Sequence, residues 1–482
     1  MMATSRAARC PALALGLTAA LGCSPLRAPG AAAPTDAAAL HGAKRMDHDG
    51  WVFVHLEGSP EQMGFQHGYL LADEIDTVVG LMRQTVPHET EHDWSFYRQT
   101  AQRIFWPRVP DELRAEIRGM AEGVRARGKN LDEWDLVAEN AYLEIAWYYI
   151  PSLRKLRPPA SPPRPPVRNL PPGSCSAFVA TGSYTQGGKV VMGHNAWVGY
   201  WLGKRWTAII DLVPSHGHRV LMDAIPGLVH SGDDFYISDA GLMVTETTIT
   251  QFHGFDPLAV PEFVRARRAI QFAETLDEWI AVMSRESNGA YANDWLLGDR
   301  KSGEIAQLEN GLRNQRAWRS RDGYFVGSNF ASDPKLLAEE TSYRGRADSS
   351  MEARRRRWVQ LMDENKGRID VEAAKRFLAD HYDVVAGAER PGTRTLCGHG
   401  DLDPDARPEW DEPAFSPNGA VTSKATDSDL AARLELWAAA GHACGIRFGA
   451  QGFLDAHPSF GWQKPVLGDL PGGPWALFSA LR

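Results

Sequence analysis

A single cysteine stands directly after a proline-rich stretch, in the motif GSCSAF at residues 173–178. Residues 157–172 contain eight prolines, a composition that favours an extended, exposed connector. If the bond between Ser174 and Cys175 were cut, Cys175 would carry a free α-amine, with an ordinary pKa of about 7.7–8.0. A thiol nucleophile and its base would then belong to one residue. This arrangement predicts catalysis by an amino-terminal cysteine that self-cleavage releases.

The cysteine count bears on the same residue. The chain has five cysteines, of which Cys10 and Cys23 lie in the amino-terminal leader. Three remain in the body, which is an odd number. In an oxidising compartment the simplest partition pairs Cys397 with Cys444 as a disulfide and leaves Cys175 as a free thiol. Because cysteine is among the most buried residue types, a purely structural role for Cys175 stays open at this point.

The amino terminus is typical of an export signal. Arg6 and Arg9 precede the apolar run PALALGLTAALG, which is too short to span a bilayer. The AALGC that follows resembles a lipoprotein cleavage box, so we expect a signal peptide over residues 1–23, either lipidated at Cys23 or simply removed. Residues 24–41 are rich in alanine and proline, which predicts a flexible tether. We expect export from a bacterial cytoplasm to the periplasm, the outer membrane or the medium.

Composition limits the classes of partner. With 482 residues, 43% hydrophobic content and a formal net charge of −8, the chain is an enzyme-sized globular body. Nucleic-acid binding normally rests on a basic surface, so no nucleic-acid partner is expected. The run Arg354–Arg357 is the one basic cluster that stands out, and we interpret it as a solvated helix face.

The hydrophobic pattern divides the chain into helices, then strands, then helices again. The helical stretches lie at residues 60–86, 111–127, 131–149 and 261–285. Short strands separated by Gly, Asn and Asp turn signals fill residues 176–249, and residues 293–309 predict a hairpin. This order predicts one layered α+β domain over residues 42–482.

Four motifs occur in a set order along the middle of the chain: GSCSAF, GHNAW, SGDDFYISDAGLMVTETTI and NGAYANDWLLGD. In that order they resemble the phospholipase B-like family of amino-terminal-nucleophile hydrolases. The segment GSPEQMGFQHG is similar to the entry segment of related cysteine acyltransferases. The resemblance implies a four-layer αββα sandwich and hydrolysis of acyl bonds. It also implies self-cleavage into an amino-terminal fragment, residues 42–174, and a catalytic fragment, residues 175–482, that stay associated.

The resemblance implies roles for particular polar residues. Cys175 matches the nucleophile, His194 matches a histidine close to it, and Asn293 matches an asparagine suited to an oxyanion hole. Thr245 and Glu246 align with a polar strand end that lines the site. The supporting positions are Asn195, Asp233 and Asp234. Each has a plainer interpretation, because His194 could satisfy a strand end, Asn293 lies among turn formers, and the two aspartates could cap a turn.

One departure limits the transfer of substrate rules. More distant amidases carry an arginine and an aspartate where this chain has His194 and Trp197, whereas the phospholipase B-like members share the histidine–asparagine pattern. The expected reaction is therefore hydrolysis of an acyl lipid through a Cys175 thioester. An amidase or acyltransferase acting on N-acyl substrates is the second interpretation. Neither scheme requires a cofactor or a metal ion.

Two alternative functions of other classes remain open. A non-catalytic exported lipoprotein could keep the fold as a binding module. The sequence HETEH at residues 88–92 satisfies the zinc-protease pattern H-E-x-x-H. That pattern needs both histidines on one continuous helix. Because Pro87 precedes His88 and the residues around His92 are polar, we expect a loop or a helix start here and disfavour the protease.

Overall fold

The computed structural model describes residues 36–156, 175–232, 235–410 and 412–481. Two β-sheets stack face to face, and each outer face is covered by helices. This is the four-layer αββα arrangement of the amino-terminal-nucleophile hydrolases, so the predicted fold class is confirmed. The leader with Cys23, the proline-rich connector, Ser174, Asp233 and Asp234 lie outside the described residues.

The helices and strands follow the predicted order of helices, strands and helices. The helices are α1 (Asp36–Ala39), α2 (Pro60–Leu70), α3 (Ala72–Thr90), α4 (Trp94–Thr100), α5 (Asp111–Ala126), α6 (Glu133–Asn140), α7 (Tyr142–Glu144), α8 (Ile150–Leu156), α9 (Tyr200–Gly203), α10 (Glu262–Phe272), α11 (Leu276–Ser284), α12 (Pro334–Glu340), α13 (Ser350–Glu364), α14 (Val371–Leu378), α15 (Ser428–Ala431) and α16 (Ala450–Ala456). The strands are β1 (Lys44–His48), β2 (Trp51–Gly58), β3 (Ser176–Gly182), β4 (Gly188–Gly199), β5 (Ala208–Pro214), β6 (Val220–Ala224), β7 (Tyr236–Ser238), β8 (Leu242–Thr248), β9 (Asn293–Asp299), β10 (Glu304–Asn310), β11 (Gln315–Ser320), β12 (Gly323–Gly327), β13 (Tyr382–Asp383), β14 (Ala388–Glu389), β15 (Asn418–Asp427), β16 (Glu435–Gly441) and β17 (Gly472–Ser479).

Successive parts of the chain contribute strands to both main sheets in turn. The nine-stranded sheet has the order β1-β2-β5-β6-β7-β8-β9-β10-β11, and the six-stranded sheet has the order β12-β3-β4-β15-β16-β17. Neighbouring strands are antiparallel except β2 and β5, which run parallel. The strands β1 and β2 precede the connector, while every other strand follows it. Both sides of the connector therefore contribute to one sheet.

Apolar side chains of both sheets meet in a core between them. Phe53 and Met243 from the nine-stranded sheet lie in one buried cluster with Val179 and Met192 from the six-stranded sheet. These residues obey the alternation of a strand, in which every second side chain points to the same face. The remaining apolar side chains pack outward, under α13 and α14 on one side and under the helices that precede the connector on the other.

Glycines let α2 and α5 pack almost backbone to backbone. A Cβ placed on Gly64 would lie 1.9 Å from the carbonyl oxygen of Glu116, and one on Gly68 would lie 2.0 Å from that of Met120. Gly123 on α5 is equally close to α2. The motif GSPEQMGFQHG therefore serves helix packing, since Gly64 and Gly68 lie one turn apart on the face that meets α5.

The structure departs from the predicted elements at several places. The predicted helix over residues 60–86 is divided at Leu71 into α2 and α3, and the one over residues 131–149 is divided into α6, α7 and a π-helical turn. Residues 36–41 were expected in the tether, but they include α1, and the Gln66 side chain donates to the carbonyl oxygens of Ala39 (3.1 Å) and His41 (3.2 Å). The predicted helix over residues 261–285 is split into α10 and α11, because the Thr275 side chain caps a new helix start. In the described part of the chain no helix is long and apolar enough to cross a membrane.

The close approach of α2 and α5 makes a testable prediction. Gly68→Ala should lower the free energy of unfolding by about 1–3 kcal/mol, because the new methyl group would meet backbone atoms that cannot move aside. Gly80→Ala on α3 is the matched control. Nothing lies within 4 Å of a Cβ at Gly80, so this change should be neutral or stabilising by up to about 1 kcal/mol. Denaturant titration of both variants measures the difference, and equal stabilities would contradict the packing described.

Candidate active site

The predicted nucleophile lies at the amino end of β3, inside the sandwich. Cys175 directly precedes β3 and is 4% exposed. Its Sγ lies 3.8 Å from Oε1 of Glu246, a fully buried residue of β8 in the facing nine-stranded sheet. The thiol of one sheet therefore contacts a carboxylate of the other.

The same carboxylate holds the predicted oxyanion residue. Asn293 begins β9, and its register places it opposite Thr248, two residues beyond Glu246. With the amide oriented to match its neighbours, Nδ2 of Asn293 donates to Oε2 of Glu246 (2.8 Å) and to the carbonyl oxygen of Ala292 (3.0 Å). Glu246 thus bridges the thiol and the amide, one oxygen to each. The structure brings Cys175, Glu246 and Asn293 together as the motifs implied.

His194 completes the group on the neighbouring strand. It lies on β4, opposite Ala177 of β3, and is fully buried. One ring nitrogen of His194, the Cys175 sulfur and a Glu246 oxygen all lie within 4.8 Å of one another. Burial, helped by the positive charge of Lys424, holds the pKa of His194 well below its usual value. His194 is therefore neutral at physiological pH and does not act as an imidazolium partner of a thiolate.

A buried ion pair joins the two sheets behind His194. Lys424 on β15 lies opposite His194 in the register, and its Nζ is 3.0 Å from Oδ2 of Asp223 on β6, with both side chains fully buried. Lys424 Nζ also donates to Oγ1 of Thr422 (2.9 Å), and Asp223 Oδ1 accepts from the Ser231 hydroxyl (3.0 Å). Two charges taken out of water need this pairing to be tolerated.

Arg354 reaches the nucleophile from the helical layer. Its guanidinium donates to the carbonyl oxygen of Cys175, to Oγ of Ser176 (3.0 Å) and to Oδ1 of Asn329 (2.9 Å), and its Nε donates to Oγ of Ser350 (3.1 Å). These partners are all neutral. Burial, and secondarily the charge of Arg407, lower the pKa of Arg354 to about 9, so the group remains a cation at neutral pH.

The expectation that the whole arginine run is a solvated helix face is wrong for its first member. Arg354 is fully buried, whereas Arg355 and Arg356 are exposed. Arg357 is partly buried and pairs with Asp380 (2.7 Å). Residues 354–357 are consecutive on α13, so they point in four directions around the helix, and only one direction faces Cys175.

Two predicted residues take structural places near the group. Asn195 follows His194 on β4 and points to the opposite face, where its amide donates to the carbonyl oxygens of Leu378 (2.8 Å) and Leu396 (2.9 Å). Thr245 is buried opposite Leu296, which belongs to the core between the sheets. Asn195 thus positions the strand that carries His194, in keeping with a supporting role, and the catalytic role of Thr245 stays a prediction.

The predicted disulfide is not present in the structure. Cys397 and Cys444 are both free thiols, like Cys175. Their sulfur atoms converge on one ring nitrogen of His399, at 3.6 Å and 3.5 Å, instead of bonding to each other.

The H-E-x-x-H segment lies at a helix end and not in a loop or at a helix start. α3 continues through Pro87 to Thr90, and Glu91 has a left-handed backbone that terminates it. His92 lies beyond the helix and stacks on Phe96, so it does not share a helix face with His88. Glu89, which would be the base of a protease, is buried and accepts a hydrogen bond from the Tyr142 hydroxyl.

Comparison with known proteins settles the family. The family model for phospholipase B matches residues 65–315, which is slightly more than half of the chain. The chain belongs to the phospholipase B family. The matched segment of this phospholipase B family member includes Cys175, His194, Glu246 and Asn293, so the family resemblance seen in the motifs is confirmed.

Individual relatives are distant and are matched over part of their length. An uncharacterized protein of Archaeoglobus fulgidus is 24% identical over 53% of this chain and 42% of its own. Phospholipase-B 81 of Drysdalia coronoides is 25% identical over 55% of this chain and 51% of its own. Phospholipase B-like protein C of Dictyostelium discoideum is 27% identical over 26% of this chain and 24% of its own. The chain thus spans between a quarter and a half of the relatives it matches.

A solved structure of a conjugated bile acid hydrolase from Clostridium perfringens is also similar. It is 9% identical, with a TM-score of 0.34, over 55% of this chain and 89% of the hydrolase.

Three residues around the thiol were not found from the sequence of this family member. Lys424 lies in the segment GAVTSKATD at residues 419–427, but a lysine in a strand is normally solvated. Asp223 lies in an apolar strand, VLMDA, where a lone carboxylate signals a buried partner. The sequence also contained a signal for the burial of Arg354, because Arg354 lies on the same helix face as Trp358, four residues later.

The buried ion pair generates a stability prediction. Lys424→Met should lower the free energy of unfolding by about 3–5 kcal/mol, because Asp223 would keep a buried charge without its ammonium. Adding Asp223→Asn should recover part of this loss, since the asparagine is neutral and keeps an oxygen for the Ser231 hydroxyl. Urea unfolding of the single and double variants tests this, and a double variant less stable than the single one would refute the pairing.

Proposed function

We propose that this phospholipase B family member is a self-cleaving cysteine acyl hydrolase, with Cys175 as nucleophile. The observation that carries the proposal is the shared carboxylate of Glu246, which contacts both the buried thiol and the Asn293 amide. A nucleophile and an oxyanion donor held by one group are what acyl transfer requires.

Activation begins with the thiol and the peptide bond that precedes it. The Cys175 sulfur adds to the Ser174 carbonyl carbon, the carbon–nitrogen bond breaks as the nitrogen takes the thiol proton, and a thioester forms. Water then hydrolyses the thioester, which restores the thiol and leaves Cys175 with a free α-amine. Arg354, which donates to the carbonyl oxygen of Cys175, keeps the new chain end in place on β3.

Turnover uses the same residue as nucleophile and base. The α-amine takes the thiol proton, and the thiolate attacks the acyl carbonyl of the substrate. The alcohol or amine that leaves takes the proton from the α-ammonium, and water releases the acid from the thioester. The Glu246 carboxylate, 3.8 Å from Sγ in this structure, is the counter-charge for the ammonium.

Asn293 stabilises the oxyanion in this scheme. In the free site its amide donates to Glu246 and to the Ala292 carbonyl, so one of these bonds is exchanged for the substrate oxygen. Arg354 adds a fixed positive charge close to the reacting sulfur, which favours the thiolate.

The sheet topology supports continued association of the two fragments. The strands β1 and β2 lie before the proposed cleavage point, and β2 pairs with β5 from Val52 opposite Ala208 to Gly58 opposite Pro214. Cutting the connector breaks none of these backbone contacts. The fragments therefore remain one folded body.

The substrate class is proposed from the family. An acyl ester of a lipid is the first candidate, and an N-acyl compound hydrolysed or transferred through the same thioester is the second. We also propose export from a bacterial cytoplasm, with Cys23 as a membrane tether where it is lipidated. The mechanism uses neither a cofactor nor a metal ion.

Removal of the nucleophile tests the proposal directly. Cys175→Ala should remain one uncut chain and lose hydrolysis of both lipid esters and N-acyl amides, because neither self-cleavage nor turnover has a nucleophile. Cys175→Ser should be cut slowly, since its hydroxyl is less acidic than a thiol. Denaturing gels, amino-terminal sequencing of the large fragment and a panel of lipid and N-acyl substrates measure this.

His88→Ala serves as the control for the preceding experiment and should behave like the unaltered protein, because His88 stacks on Trp462 far from the group around Cys175. Full activity in the alanine variant at residue 175 would falsify the mechanism. An uncut, inactive unaltered protein would indicate a binding module instead.

The pH dependence distinguishes the α-amine from His194 as the base. We expect kcat/KM to rise with pH through the pKa of the amine, about 7.7–8.0 when unperturbed, because the amine accepts a proton only in its neutral form. His194→Gln should leave the midpoint of this rise in place even if it lowers the rate, since His194 is already neutral there. A midpoint that moves in this variant would assign the titration to the imidazole.

A further inference from the structure

A second cluster of cysteine and histidine side chains lies on the six-stranded sheet, outside the group around Cys175. It consists of His381, Cys397, His399 and Cys444. His381 follows α14, Cys397 and His399 lie in the loop before β15, and Cys444 follows β16. We propose that these four residues bind one structural Zn²⁺ ion.

The distances fit a tetrahedral zinc site. With Zn–S bonds of about 2.3 Å and Zn–N bonds of about 2.0–2.1 Å, the ligand atoms of a tetrahedron lie roughly 3.3–3.8 Å apart. Nε2 of His399 lies 3.6 Å from the Cys397 sulfur and 3.5 Å from the Cys444 sulfur. One ligand atom from each of the four residues lies within 4.8 Å of the other three.

The types of ligand atom indicate which metal ion the site would bind. Two thiolates and two imidazoles in a closed tetrahedron are typical of structural zinc. Zinc displaces the two thiol protons into solvent, so the ion and its two thiolates are together neutral, which suits a buried place. Cys397 and His399 are fully buried, while His381 and Cys444 are partly exposed and leave a path for the ion.

One imidazole nitrogen of the cluster has no hydrogen-bond partner, and neighbouring groups orient other members. Nε2 of His381 is buried and has no hydrogen-bond partner. The Ile446 amide donates to the Cys444 sulfur (3.4 Å), a contact that orients a thiolate. His442 is close by but is engaged at both nitrogens, with the Ile446 carbonyl (2.9 Å) and the Tyr200 hydroxyl (3.0 Å), so it supports the site without binding the ion.

The metal would fix a loop that packs behind the nucleophile. Gly398, between two of the ligands, lies so close to Trp197 that a Cβ would meet the indole at 1.9 Å. The Arg354 guanidinium lies over the same ring, 4.7 Å from the ring centre, and Arg354 donates to the Cys175 carbonyl. The zinc loop therefore supports the wall of the candidate active site without touching its reacting atoms.

Metal analysis of the full-length protein tests the proposal. Protein purified without chelators should contain about one zinc per chain, as expected for a closed four-ligand site. Cys397→Ser should lose this zinc. Two controls should keep it: Cys175→Ala, which removes the other described thiol, and His88→Ala, which removes the first histidine of the H-E-x-x-H segment.

Cobalt substitution keeps the test decisive if Cys397→Ser does not fold. In the Cys175→Ala background, Co²⁺ exchanged for zinc should show the intense visible bands of a tetrahedral ion and the near-ultraviolet charge-transfer band of bound thiolates. Cobalt without a thiolate band would overturn the proposal. So would unaltered protein that lacks zinc and carries a Cys397–Cys444 disulfide on mapping, or zinc that follows Cys175 or His88 instead of Cys397.

Discussion

The buried carboxylate of Glu246 is the contact on which the candidate site depends. A carboxylate removed from water must be met by donors, and in this fold one oxygen faces the Cys175 thiol while the other accepts from Asn293. Cys175 belongs to one sheet, and Glu246 and Asn293 belong to the facing sheet. Stacking of the sheets therefore assembles the group, and no single segment of the chain contains it.

Two cationic side chains lie next to other members of this group. Lys424, paired with Asp223, lies behind His194, and Arg354 holds the carbonyl of the nucleophile. Burial, with the charge of Lys424 as a smaller contribution, holds the pKa of His194 well below its usual value, so His194 is neutral. A lowered pKa makes His194 a weak base, and the proposed mechanism therefore gives the role of base to the α-amine of Cys175.

Local pattern and motif order predicted much of this. The strands around residues 176–249 and the hairpin at 293–309 are predicted because short runs of strand-forming residues end at clear turn signals. The family motifs pointed to Glu246 and Asn293. Other predictions failed. The local Thr275 cap divides a helix that hydrophobic spacing alone extends, and Arg354 is buried because a residue distant in sequence, Cys175, lies on that side of α13.

By itself, the sequence determined the family and the αββα class, and it pointed to the candidate site residues, because motif order is a property of the linear chain. Only the tertiary structure decided that Cys397 and Cys444 converge on His399 and do not pair, and that Lys424 and Asp223 neutralise each other across two sheets. A count of cysteines or charges does not say how far apart these groups lie in the folded chain. Which groups meet depends on sheet stacking and loop placement, and these follow from the packing of the whole core.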